Sequence, residues 1–267
     1  MAVERLVVED LHFSYGRAPV LRGVSLTVKP RTVTTLMGAN ACGKTTLLLL
    51  MTKHLRPDAG RVLLDGRDIA EIPWKDFARR AAVVHQSGAA PDDLPVRALV
   101  AYGRAPHTAP LRGLTRADEA RIDWAMEATG VAPIAGQALG TLSGGQRQRA
   151  FLAMALAQDT GLLFLDEPTA FLDVRHQVET LRLVRQLGEA HGLTIVMVLH
   201  DINQALMYSD EVIGLKDGRV FVQGPPADVI DRDVIFALYG IRLETRAEGG
   251  RMWVLPVTPH MGRPRSP

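Results

Sequence analysis

The stretch GANACGKT, residues 38–45, sets a lysine behind a glycine-framed turn and a hydroxyl behind the lysine. It fits G-x-x-x-x-G-K-[ST], with the β-rich run TVTTLM before it and the helically spaced KTTLLLLMTKHL after it. In that context the backbone N–H groups from Gly38 through Ala39, Asn40, Ala41, Cys42 and Gly43 to Thr46 wrap the phosphates of a nucleotide such as ATP. Lys44 reaches the β/γ oxygens and the Thr45 hydroxyl takes Mg²⁺. A glycine turn opening an ordinary helix is the plainer alternative. Downstream, LLFLDEP runs an apolar strand into two adjacent carboxylates. Neighbouring side chains diverge at a strand end, so Asp166 suits Mg²⁺ through its water shell. Glu167 suits the orientation and deprotonation of an attacking water. Without a phosphate loop upstream, the pair would read as a strand end entering a solvated turn.

A second anion-binding mouth lies in LSGGQ, residues 142–146. A helix start offers free N–H groups and the positive end of the helix dipole. Ser143 and Gln146 stand at capping-box spacing and could do no more than begin a helix. Gly144 and Gly145 weaken the first turn, and close approach by a ligand accounts for them. The chain thus carries two phosphate mouths, only one of them with a lysine.

The elements that must hold these residues alternate. RLVVEDLHF, VLRGVSLTV, TVTTLM, GRVLLDG and AAVVHQ read as strands, the last ending at Gln86. Between residues 91 and 158 the spacing is helical, in VRALVAYG, TRADEARIDWAMEATG and SGGQRQRAFLAMALAQ. Strands return in LLFLDEP and TIVMVLHD, separated by the helix VRHQVETLRLVRQLGEAHG. Apolar strands alternating with helices predict an α/β fold whose mostly parallel sheet is covered on both faces. A hairpin in EVIGLKDGRVFVQG, a helix near RDVIFALYG and a hairpin through RAEGGRMWVL close the fold. One domain over residues 1–257 is expected, with a helical insert at about 91–158 and a disordered tail at 258–267.

Bulk properties exclude several classes. The chain has 267 residues, 47% hydrophobic and 22% charged, with a net charge of +2, so it can bury a full core and no nucleic acid partner is implied. The 8 histidines include none spaced with Cys or another His as metal ligands. A lone cysteine, Cys42, excludes a disulfide framework and suits a reducing cytoplasm. MAVERLVVED is charged too early for a signal peptide, and LLLLM is too short to span a bilayer. A chain soluble by itself is expected.

The phosphate loop, Gln86, LSGGQ, LLFLDEP and His200, in that order, resemble the ABC-type ATPases over nearly the whole chain. The resemblance implies a P-loop NTPase with a mostly parallel core sheet, an N-terminal antiparallel β-subdomain and an inserted helical subdomain. It implies a head-to-tail homodimer in which Ser143, Gly144, Gly145 and Gln146 bind the γ-phosphate of ATP held by the other copy. Tyr15 resembles the aromatic that stacks on adenine, and a plain turn tyrosine is its alternative. Gln86 resembles the glutamine that touches Mg²⁺ and signals to a membrane partner, against a polar strand cap. His200 resembles the γ-phosphate sensor, against a satisfied packing histidine, and Asp173 matches the loop that contacts across the dimer. Arg147 and Arg149 read as a solvated helix face.

Many members of that family have Pro and Gly where this chain has Ala39 and Ala41. If residue 41 needs positive φ, alanine costs roughly 1–2 kcal/mol, and weakened ATP affinity is expected. Cys42, beside Lys44 near a helix N-terminus, is expected to have a lowered pKa.

AYGRAPH (residues 101–107), EPTAFLDVRHQ with its aromatic Phe171, and VLHDINQAL resemble the iron–siderophore importer branch, features that haem and cobalamin importers largely share. This implies a homodimer beneath two membrane permease subunits on the cytoplasmic face of the inner membrane, fed by an extracytoplasmic binding protein. Grooves near Gln86 and the helical insert would receive the permease. An iron–sulfur assembly ATPase is the rival of another class. Repair ATPases need long heptad arms and translation factors need tandem cassettes, and neither is present.

Overall fold

The strand pattern resolves into two sheets with separate tasks. The computed structural model describes residues 5–86, 90–109, 113–248 and 251–256. It opens with β1 (Leu6–Tyr15) and β2 (Ala18–Val28), then β3 (Val33–Met37) leads into α1 (Lys44–Met51). β4 (Ala59–Leu64), β5 (Arg67–Asp68), α2 (Trp74–Ala78) and β6 (Ala81–Val84) follow. Helices α3 (Val96–Tyr102), α4 (Arg116–Thr129) and α5 (Gly144–Ala157) then fill the stretch before β7 (Leu162–Asp166). After α6 (Val174–His191) come β8 (Thr194–Val198), α7 (Ile202–Tyr208), β9 (Glu211–Lys216) and β10 (Arg219–Gly224). The last elements are α8 (Pro226–Val229), α9 (Arg232–Tyr239) and the hairpin β11 (Leu243–Glu248) with β12 (Arg251–Pro256). No helix among the described residues is long and apolar enough to cross a membrane.

The larger sheet has the order β10-β9-β3-β8-β7-β6, parallel from β9 to β6 with β10 antiparallel at its edge. The smaller, antiparallel sheet has the order β2-β1-β4-β5. Side chains alternate across a strand, so each central strand feeds two cores. On β7, Leu163 and Leu165 pack with the helices α3 to α7, while Leu162 and Phe164 pack with α1 and the smaller sheet. Every residue of β3, β7 and β8 is buried, which is why these strands read as unbroken apolar runs. Because β3, β8 and β7 are neighbours, the loops that follow them leave the same edge of the sheet.

The helical insert is bolted internally and to the sheet. Arg104 Nε donates to Asp118 Oδ1 at 2.8 Å and its Nη1 to the Ala157 carbonyl at 2.7 Å, joining α3, α4 and α5. The loop behind Arg104 is gripped by α2, since Arg79 Nε donates to Pro106 O and Lys75 Nζ to Thr108 O, each at 2.9 Å. The AYGRAPH stretch is therefore a junction between the insert and the sheet domain.

Some elements differ from the sequence reading. β6 stops at Val84 because the next residue along its partner, Asp166, pairs only with Val198 on the opposite side, so Gln86 lies beyond the strand. α1 stops at Met51, where Thr52 Oγ1 turns back to the Leu48 carbonyl and Lys53 takes a positive φ of 66°. α2, α7 and α8 are too short to show a helical period. The expected tail at 258–267 lies outside the described residues.

Asp118 also accepts from the Thr115 hydroxyl (2.6 Å) and N–H (2.9 Å). These bonds, followed by Arg104, hold its carboxyl down to about 2. Its stabilisation is therefore complete above the ordinary carboxylate range near about pH 4 and fades as pH falls towards its folded value. Asp118→Ala would leave a buried guanidinium with one carbonyl, a loss of about 3–5 kcal/mol. Arg104→Met leaves Asp118 with its Thr115 bonds and should cost less. Urea denaturation of the two variants at neutral pH should give that order, and an equal or reversed order would count against the account.

Candidate active site

The phosphate loop joins the end of β3 to the start of α1. Gly43 caps the helix with φ 107°, and Gly38 has φ 139°. A Cβ on Gly38 would also overlap the Leu215 carbonyl of β9, so only glycine fits. Lys44 is 5% exposed, and its Nζ donates to the carbonyls of Gly38 at 2.8 Å and Ala39 at 3.0 Å. The ammonium thus lies within the turn of its own loop. Ala41 adopts the left-handed conformation, φ 61°, that the sequence reading made conditional. Cys42 behaves otherwise than expected: burial pushes its thiol up, and the nearby Lys44 charge only partly offsets this. Desolvation outweighs the helix terminus here.

Two distant residues meet at Glu167. One carboxylate oxygen, Oε2, accepts from Gln86 Nε2 at 2.8 Å, and Oε1 lies 2.5 Å from His200 Nε2. Glu167 has φ 49°, a strained conformation for a side-chain-bearing residue that surrounding contacts must hold. The turn bond from Ala170 N–H to the Glu167 carbonyl, 3.0 Å, adds to those two contacts. Tyr15, Lys44, Thr45, Glu167 and His200 line one cavity of about 410 Å³, together with Asn40, Ala41, Gly43 and Thr46. Tyr15 is 52% exposed, its ring standing edge-on to Phe13 at 4.8 Å.

Asp166 ends β7 and is buried, and its Oδ1 has no hydrogen-bond partner among the described residues. Burial, reinforced by Glu167 alongside, pushes its carboxyl up. An orphaned buried carboxylate oxygen is costly, and a hard cation with its water shell is the compensation its chemistry suits. No group of three or more His, Cys, Asp or Glu that could hold a metal ion occurs among the described residues. A cation beside Asp166 would therefore draw on the Thr45 hydroxyl, Gln86, phosphate oxygens and water.

The second mouth is built as its spacing predicts and stands apart. Ser143 caps α5, accepting from Gln146 N–H at 3.3 Å, while Gln146 Oε1 accepts from Ser143 N–H at 3.0 Å. Neither Ser143 nor Gln146 nor the glycines between them line the cavity. Gly145 has a reason inside the chain: a Cβ there would overlap Cδ2 of His176 and sit 2.9 Å from its Cγ. Ligand approach is therefore not needed to explain that glycine, whereas Gly144 is exposed. Asp173 caps α6, accepting from His176 N–H at 2.9 Å.

Two contacts escaped the sequence. Tyr239 of α9 accepts the Gly38 N–H at 3.1 Å, and burial pushes its phenol up to about 12, so the hydroxyl stays neutral. Gln204 of α7 donates to Gln177 Oε1 at 2.8 Å and accepts from the Thr169 hydroxyl at 3.4 Å. Neither pairing leaves a local signal, because only the fold brings the partners together.

Known proteins resemble this chain along most of its length. The model of the ABC transporter family matches residues 21–170. The ferric enterobactin transport ATP-binding protein FepC of Escherichia coli K12 is 40% identical over 241 residues, 90% of this chain and 89% of its own. The iron(3+)-hydroxamate import ATP-binding protein FhuC of Bacillus subtilis is 41% identical over 239 residues, again 90% and 89%. A chain of an ABC transporter solved in an inward-facing conformation superposes with a TM-score of 0.83 at 24% identity, covering 96% of this chain and 98% of that one. That likeness speaks to the fold alone.

The strain at Ala41 belongs to the loop's own conformation, and hence to folding. Ala41→Gly should stabilise the protein by about 1 kcal/mol, the left-handed penalty less glycine's greater freedom in the unfolded chain. Against the weakened ATP binding expected from the sequence, affinity should stay within about twofold, since free energy changes little in the binding step. Urea denaturation and nucleotide titration check both halves; tighter binding without added stability would put the strain in the binding step instead.

Proposed function

This chain belongs to the ABC transporter family as an ATP-binding subunit, and we propose that it hydrolyses ATP to power import of a ferric siderophore through a separate membrane permease. The observation that carries the reaction is the Glu167 carboxylate, held by Gln86 on one oxygen and His200 on the other, in a cavity shared with Lys44 and Thr45. The ligand class rests on the relatives, whose names specify ferric enterobactin and iron–hydroxamate transport.

Each residue takes one task. Tyr15 offers its face to adenine, and the N–H groups of the loop from Gly38 to Thr46 cradle the phosphates. Lys44 leaves its loop carbonyls for the terminal phosphates and stabilises the charge developing there. Glu167 orients the attacking water and takes its proton, while His200 fixes the carboxylate and faces the γ-phosphate. Thr45, Gln86 and Asp166 would hold Mg²⁺, which when bound neutralises phosphate charge.

The lysine-free mouth, Ser143 to Gln146, serves the nucleotide of a second copy. Two chains head to tail therefore make two composite sites, and Asp173 sits in the loop that meets the partner. The permease docks near Gln86 and the insert junction, where Trp74 and Tyr102 are exposed aromatics at 55% and 59%. An extracytoplasmic binding protein delivers the ligand, and the assembly stands on the cytoplasmic face of the inner membrane.

Cells lacking this chain should lose uptake of an iron-labelled siderophore. Wild-type chain should restore it and Lys44→Ala should not, although the variant still assembles with the permease. Normal iron uptake in the deletion, with loss of haem or cobalamin uptake, would overturn the ligand class. Uptake restored by Lys44→Ala would overturn the catalytic assignment.

A further inference from the structure

We infer that His176 is a positioning residue that ties the signature mouth of α5 to the loop following Glu167, and so links the two nucleotide sites of a dimer. The inference rests on the shared-site reading above, and it assigns a task to a residue that the EPTAFLDVRHQ stretch contains without a role and that the catalytic geometry does not use.

His176 is wedged. Its Nδ1 lies 2.9 Å from both carboxylate oxygens of Asp173, and its backbone N–H donates to Oδ1 at the same distance. A carboxylate only accepts, so Nδ1 carries the proton and the ring orientation is fixed. The opposite edge of the ring covers Gly145, where a Cβ would lie 2.9 Å from Cγ and 3.2 Å from Nε2. Gly145 stands between the cap Ser143 and its reciprocal partner Gln146. The ring therefore sets how far the first turn of α5, with its anion-binding N–H groups, can lean towards α6.

The other side of the wedge leads back to the catalytic carboxylate. Gln177, the next residue, donates to the Leu172 carbonyl at 3.0 Å and accepts from Gln204. Gln204 N–H donates to Asp201 Oδ1 at 2.8 Å, and Asp201 follows His200, the partner of Glu167. Thr169, two residues after Glu167, donates to Gln204. A continuous set of contacts thus runs from Glu167 and His200 through Gln204, Gln177 and Asp173 to His176 and Gly145. In the dimer the first end serves a chain's own nucleotide and the last end serves its partner's. A shift of the loop at one site moves the mouth at the other, because the ring leaves no slack between them.

The test uses the full chain carrying Glu167→Gln, which should retain ATP, with Mg-ATP-driven dimerisation read by gel filtration over a concentration series. His176→Ala should weaken the dimer several-fold while ATP binding by the monomer is unchanged. Gly145→Ala should weaken it tenfold or more and lower the melting temperature. Combining the two should return dimerisation to the level of His176→Ala alone and recover the melting temperature, since the added methyl then occupies the space of the ring. A double variant as defective as Gly145→Ala would overturn the proposal, because the glycine would then be required by the partner's nucleotide. So would a His176→Ala chain that melts lower yet dimerises normally, which marks packing alone. If Glu167→Gln itself fails to dimerise with Mg-ATP, the shared-site reading falls and the coupling with it. The melting temperatures of the monomeric variants still decide whether the ring and the glycine oppose one another.

Discussion

Burial of β3, β8 and β7 on both faces is the constraint from which the site follows. Side chains alternate between a core under the helices and a core under the smaller sheet, so none of the three strands can slip by a residue without exposing one set. Register fixed in this way brings the ends of adjacent parallel strands to one edge, where ligands of open α/β sheets bind. The lysine loop, Glu167 and His200 are the residues that leave that edge. Their mutual distances are set by strand spacing rather than by the loops.

On this rigid edge the loops carry strain. Ala41 at φ 61° and Glu167 at φ 49° are left-handed without glycine's freedom. Each is held by something stronger nearby: the turn around Lys44 for the first, and Gln86 with His200 for the second. Asp166 adds a buried oxygen without a partner among the described residues. Two strained residues and an orphaned carboxylate oxygen at this edge are what a site prepared for phosphate charge and a cation would show, whereas in the insert the buried Asp118 carboxylate is met by both Arg104 and Thr115.

The sequence made the local chemistry readable because that chemistry is local. The lysine loop carries its own turn, helix start and hydroxyl, and the capping box of Ser143 and Gln146 forms within one turn. The meeting of Gln86, Glu167 and His200 could be expected only through family resemblance, since it depends on strand order, which no spacing encodes. Where one explanation was local and the other tertiary, the tertiary one prevailed. Gly145 makes room for His176 whether or not a ligand approaches, and Cys42 responds to burial more than to its helix terminus. Tyr239 supports Gly38 from the far end of the chain and was invisible. The short helices α2 and α7 lack enough turns for a period, and α7 shows only its cap, Asp201.

That two copies share each nucleotide is the central claim, and mixed chains test it most directly. In the Glu167→Gln background, Lys44→Ala disables a chain's own loop, and Ser143→Arg fills the mouth it offers to a partner. Neither variant alone should retain ATP in a dimer. Mixed, they can form one intact site, from the lysine loop of the second and the signature of the first. The account predicts one retained ATP per mixed pair, with the isolated Ser143→Arg chain still binding ATP as a monomer. Loss of ATP binding by that monomer, or no retained nucleotide in the mixture, would contradict it.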